Sequence, residues 1–117
     1  MRLEDLVRAL VRNDALAARA WVADAIRAGL DWRSVPRPAD LDALGLAIAA
    51  GVAELLASRA RQEPPPWTKA VPAAPQPFLL VRAAGWMPRL RRMCEVEGPE
   101  PLGRRGLLAP PEFLTTA

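Results

Sequence analysis

The sequence predicts an all-α protein: a small three-helix unit over residues 1–60, a Pro-rich extended strap over 61–77, and a short C-terminal helix with an irregular tail over 78–117. Three observations predict it. Apolar residues recur at helical spacing in the first part of the chain. An uncharged run, Ala43–Ala53, lies in the middle of that part, and eleven of the 13 prolines fall after residue 60. A chain of 117 residues has room for one modest domain, burying about 65% of the surface it would expose unfolded. Its 51% hydrophobic content rests on Ala, Leu and Val, with only 5% aromatics. Trp21, Trp32, Trp67 and Trp86 must therefore supply much of the contact area.

In the first helix, Leu3, Leu6, Val7, Leu10 and Val11 fall on one face, as a half-buried helix requires. Glu4 and Asp5 suit its positive N-terminal end. Asn13-Asp14 breaks the chain and offers a fresh cap. A second helix follows, with Leu16, Ala20, Ala23 and Arg27 as one stripe and Val22, Ile26 and Leu30 as another. Gly29 stands where a helix stop is expected. Pro36 and Pro38 disfavour helix through 35–37. A third helix is expected from about Pro38–Asp40 to Arg59, with Asp40 and Asp42 as first-turn acids. Its run Ala43–Ala53 carries no charge on any face and spans only about 16 Å, roughly half a bilayer core. It reads as a central helix enclosed by protein, or as a face for a second copy of the chain if helices 1 and 2 leave one side open.

Six prolines in "RQEPPPWTKAVPAAPQP" exclude helix and inner strand, so this segment reads as extended polyproline II. A free linker rarely needs a Trp, so Trp67 is expected to dock onto the helical unit or onto a partner. "FLLV" (Phe78–Val81) has strand character, but nothing else in the chain reads as a strand to pair with it. "MPRLRRMCEVEG" predicts a short helix with Pro88 in its first turn and Gly98-Pro99 at its end. "GLLAPPEFLTTA" has no periodicity.

The composition argues against catalysis. There is no His, which removes the commonest general base and metal ligand. The single cysteine, Cys94, excludes an intrachain disulfide and a multi-thiolate metal site. Arg91 and Arg92 would lower its pKa, but Glu95 and Glu97 adjoin it, and a structural thiol is the simpler reading. The pairs Asp40/Asp42 and Glu95/Glu97 have i,i+2 spacing and diverge on a helix. "GRRG" lacks the strand and helix of a phosphate loop. No catalytic, cofactor-binding or metal-binding residue is expected, and the absence of an apolar leader in "MRLEDLVRAL" points to the cytoplasm.

The formal charge of +3 lies wholly in the second half: residues 1–60 balance eight basic against eight acidic side chains, and residues 61–117 carry eight against five. The region Arg82–Arg105 could contact nucleic acid, but Glu95, Glu97 and Glu100 interrupt it and would repel phosphate. A protein surface fits the interleaved charge better. The residues expected to meet a partner are Trp67, Arg89, Arg91, Arg92, Arg104, Arg105, Leu108, Phe113 and Leu114. The apolar tail is expected to lie either on such a partner or back over the chain's own helices.

The stretches "WVADAIRAGLDW", "FLLVRAA", "MPRLRRMC" and "EGPEPLGRRGLLAPPEFL", with Trp67, resemble a group of small uncharacterised bacterial proteins. These are encoded beside nucleotidyltransferase-type proteins in gene pairs that resemble toxin–antitoxin modules. The chain differs from that group at "GRRG", where other members have "RRRN" or "RRRR", which speaks against a strictly basic role for the block. The resemblance implies a cytoplasmic, non-enzymatic partner protein that neutralises or positions a cognate enzyme, such as a nucleotidyltransferase-type toxin; it carries over no site residues.

Overall fold

The computed structural model describes residues 1–115 and is mainly helical. Its helices are α1 (Leu3–Val11), α2 (Ala15–Arg27), α3 (Ala43–Arg59), α4 (Pro88–Glu97) and the single turn α5 (Glu100–Gly103). Short 3₁₀ turns lie at Trp32–Ser34, Pro66–Ala70 and Arg82–Gly85, and two-residue strands β1 (Phe78–Leu79) and β2 (Leu107–Leu108) complete the order.

The first three helices end in the same way. In each, the residue after the C-cap turns to positive φ: Asn13 at 58°, Gly29 at 63° and Arg61 at 57°. Its N–H bonds back to the second-last helical carbonyl, and the next N–H reaches one residue further. Asn13 and Asp14 reach Leu10 and Ala9, Gly29 and Leu30 reach Ile26 and Ala25, and Arg61 and Gln62 reach Ser58 and Ala57. This closes carbonyls that a helix end would otherwise leave open. Asp14 and Asp42 cap α2 and α3 by accepting from the N–H of Ala17 and Gly45. Asp42 thus precedes the helix, and Asp40 lies outside it with φ of 59°; the predicted start at Pro38–Asp40 was several residues early.

The burial pattern revises the predicted faces. In α1, Leu3, Leu6, Val7 and Leu10 are buried, but Val11 is exposed. In α2 the buried stripe is Ala18, Val22 and Ala25, while Leu16 and Ile26 face outward. Small residues on the inner face let α2 lie close to α1, so the larger side chains are those left outside. α3 is enclosed: Gly45 and every residue from Ala47 to Ala57 are buried. The Ala43–Ala53 stretch is therefore largely covered, with only Ala43 exposed and Leu44 and Leu46 half-buried, because α1, the Pro66–Ala70 turn and α5 all pack on it.

The strap is less extended than expected. Pro65 keeps polyproline geometry (φ −58°, ψ 139°), but Pro66 starts a 3₁₀ turn, a position where its missing N–H costs nothing. The lone-strand reading of Phe78–Leu79 is also corrected. β1 pairs in parallel with β2 in the register Phe78↔Leu107 and Leu79↔Leu108. The N–H groups of Phe78 and Leu80 donate to the Gly106 and Leu108 carbonyls, both at 2.9 Å. The crossover that a parallel pair needs is the whole segment holding α4 and α5.

Gly51 is where the second half meets the first. A Cβ there would lie 2.7 Å from a methyl of Leu102 on α5 and 3.3 Å from the Pro101 carbonyl oxygen. Gly51→Ala should therefore lower stability by about 1–2 kcal/mol in denaturant melts, overpacking outweighing the better helix propensity of Ala. Arg61→Gly should do the reverse, raising stability by about 0.5–1 kcal/mol, since the left-handed conformation penalises a Cβ.

Candidate interaction surface

One charged residue breaks the apolar wall of α3. Glu54 is only 8% exposed and would be costly there without a counter-charge. Arg105, 5% exposed, supplies it in a two-pronged pair: Nη1 to Oε1 at 2.7 Å and Nη2 to Oε2 at 3.1 Å. The same guanidinium donates to the carbonyls of Thr68 at 3.0 Å and Pro101 at 3.1 Å. Arg104 adds a second, half-exposed contact to Glu54 and reaches Glu100 at 3.5 Å. Burial pushes the Glu54 carboxyl up, but the hydrogen bonds from Arg105 and the charges of both arginines outweigh it, so its pKa is held below the ordinary value.

The tail follows this anchor back over the chain's own helices. Phe113 and Leu114 are buried in the main core, and the Arg59 guanidinium donates to the carbonyls of Phe113 and Pro111. Arg105, Phe113 and Leu114 are therefore largely buried: a carboxylate claims the first, and the other two follow the alternative in which the tail lies over the chain's own helices. Leu108 is half-buried in β2, and Arg104 is largely committed to Glu54. Trp67 also docks internally, half-buried, with its indole N–H donating to the Val35 carbonyl at 2.9 Å.

The remaining predicted arginines lie on α4. Leu90 and Cys94 turn inward, and Arg91 pairs with Glu95 at 3.0 Å. Arg89 and Arg92 point outward, and neither has an ion-pair partner among the described residues. Helical spacing places Met93 and Val96 on that same outer face, and both are exposed. Trp86, 67% exposed, and Met87 precede them. Four of the eight large apolar side chains exposed among the described residues thus fall within positions 86–96. Trp86 also overhangs a groove of about 710 Å³ between the α1–α2 corner and α4, floored by Leu10, Ala18, Leu80, Leu90 and Phe113.

Cys94 is buried, and burial pushes its thiol pKa up despite the opposing charge of Arg91; such a thiol is a poor nucleophile at neutral pH. Among the described residues no three His, Cys, Asp or Glu side chains gather as a metal site. No helix of the described residues is long and apolar enough to cross a membrane. Of the Arg82–Arg105 region, Arg91, Arg104 and Arg105 are engaged with carboxylates, whereas Arg82, Arg89 and Arg92 are exposed. The chain matches no protein-family model, no curated protein and no solved structure.

Two features escaped the sequence reading. Glu54 follows directly on the uncharged run and is followed by more apolar residues, and a lone acid in such a helix is itself a signal for a buried partner. The exposed quartet at 86–96 was hidden because Met and Val at helical spacing look like core. Glu54→Ala or Arg105→Ala should each cost about 3–5 kcal/mol in denaturant melts, and the double change less than their sum. Because the folded-state pKa of Glu54 is depressed, its contribution is present above the ordinary glutamate pKa of about 4.3 and is lost as pH falls below it. Stability should therefore fall more steeply on acidification below about pH 4.3 in the native chain than in Glu54→Gln.

Proposed function

We propose that the chain is a non-enzymatic interaction component that binds a cognate protein through residues 86–96, as an antitoxin-like partner that neutralises or positions an enzyme. The observation that carries this reading is the outward grouping of Trp86, Met87, Met93 and Val96 with Arg89 and Arg92, neither arginine in an ion pair among the described residues. Trp, Met and Arg are the residue types enriched at the centres of protein interfaces. Leaving them in water gains nothing for the fold, whereas covering them with a partner removes apolar area from solvent and gives two cations a counter-charge. The resemblance to small proteins of toxin–antitoxin-like gene pairs supports the antitoxin-like role, a bacterial cytoplasmic setting and a nucleotidyltransferase-type partner. Partner recognition then belongs to the segment around α4, and the strap and tail hold that segment in place.

Co-expression with the product of the adjacent gene, followed by titration of the purified pair, tests the proposal. Trp86→Ala should weaken binding by at least about tenfold. Arg89→Glu with Arg92→Glu should mainly slow association and reduce its salt dependence. Binding by both variants with native affinity and rate would reject residues 86–96 as the interface.

A further inference from the structure

A second concavity lies where the C-terminal ends of α2 and α3 meet the tail. It encloses about 350 Å³, at the lower end of the range for small-molecule pockets. Val22, Ile26, Leu30, Trp32, Leu56 and Leu114 form most of its wall. The polar group at its floor is already used: Gln62 donates its amide to the Leu30 carbonyl at 3.1 Å and accepts from the Trp32 N–H at 2.8 Å. Among the described residues no carboxylate lines the cleft, and the one charge they bring to it is the Arg59 guanidinium. That cation bonds two neutral carbonyls and has no acidic partner among the described residues. Burial pushes its pKa down, the sign of a charge partly stripped of water.

We infer that this cleft binds a medium-chain aliphatic carboxylate, its chain against the Val22–Leu56 wall and its carboxylate on the remaining N–H groups of Arg59. Two helix C-termini at the cleft oppose an anion, each with about half a charge. Their last carbonyls are, however, closed by the backbone bonds at Gly29–Leu30 and Arg61–Gln62. A guanidinium in direct, charge-assisted contact outweighs them. The aliphatic wall sets the second requirement. Each methylene removed from water should tighten binding about fourfold until the cleft is full. The site is separate from residues 86–96 and does not depend on the partner reading.

Octanoate titrated into ¹⁵N-labelled full chain, followed at the indole N–H resonance of Trp32, tests the inference. A saturable shift is expected with half-saturation on the order of 1 mM. Hexanoate should bind about fifteenfold more weakly than octanoate. Octylammonium, the same chain with the opposite charge, should bind at least about tenfold more weakly. Arg59→Gln should lose at least about tenfold and Arg59→Lys less, since only the latter keeps the charge. Because Arg59 also tethers the tail, Ala60→Leu provides the second variant. It fills the cleft from an exposed lining position and should abolish the Trp32 shift while the other three indole resonances stay in place. Equal binding of octylammonium and octanoate, unchanged octanoate affinity in both Arg59→Gln and Ala60→Leu, or no saturation by tens of millimolar would overturn it.

Discussion

The fold depends on one buried carboxylate. Glu54 stands in a helix whose other residues from Ala43 to Ala57 are all apolar, and it is tolerable there only because Arg105 reaches it from 51 positions further along the chain. The guanidinium does more than neutralise: it ties together the central helix, the turn after the prolines through Thr68, and α5 through Pro101. An apolar pair of the same volume would hold these elements as tightly or more so. What the ion pair adds is register, since the planar fork of an arginine fits two carboxylate oxygens in few orientations.

Close packing follows from that registration. With Arg105 fixed, Leu102 and Leu107 are delivered onto Gly51, the point of α3 where the absence of a side chain leaves space for them. Ala109, Phe113 and Leu114 then close the core. The parallel pairing of Phe78–Leu79 with Leu107–Leu108 is a result of this docking more than a cause of it, because two residues a strand are far too few to hold a sheet alone.

The parts of the fold that were legible in the sequence are those fixed by local chemistry. Leu3, Leu6, Val7 and Leu10 marked α1, Gly29 marked the end of α2, and Pro88 and Gly98 bracketed α4. The uncharged run around Ala49 showed correctly that α3 is enclosed, but not by what. Features set by distant partners were not legible. Nothing near Leu107 announces a strand, nothing near Arg105 announces burial, and Ile26 and Val96 look apolar enough for a core that never reaches them. Of the candidate surface, Arg89 and Arg92 could be read from charge, while the exposure of Trp86 depended on which side of the 82–85 turn meets the body.

The distance between Glu54 and Arg105 also bears on how the chain is made. Translation proceeds at about 5–20 residues per second, so for several seconds after α3 has been synthesised its counter-ion and its covering residues are not yet available to it. During that interval the most apolar helix in the protein is open on the side that α5 and the tail will occupy, with an unpaired acid in the gap. A charge within an exposed apolar segment disfavours its association with neighbouring chains, and Glu54 is the charge within this one until the arginine can cover it. A residue that looks expensive in the finished protein is, in the nascent one, a solubility device.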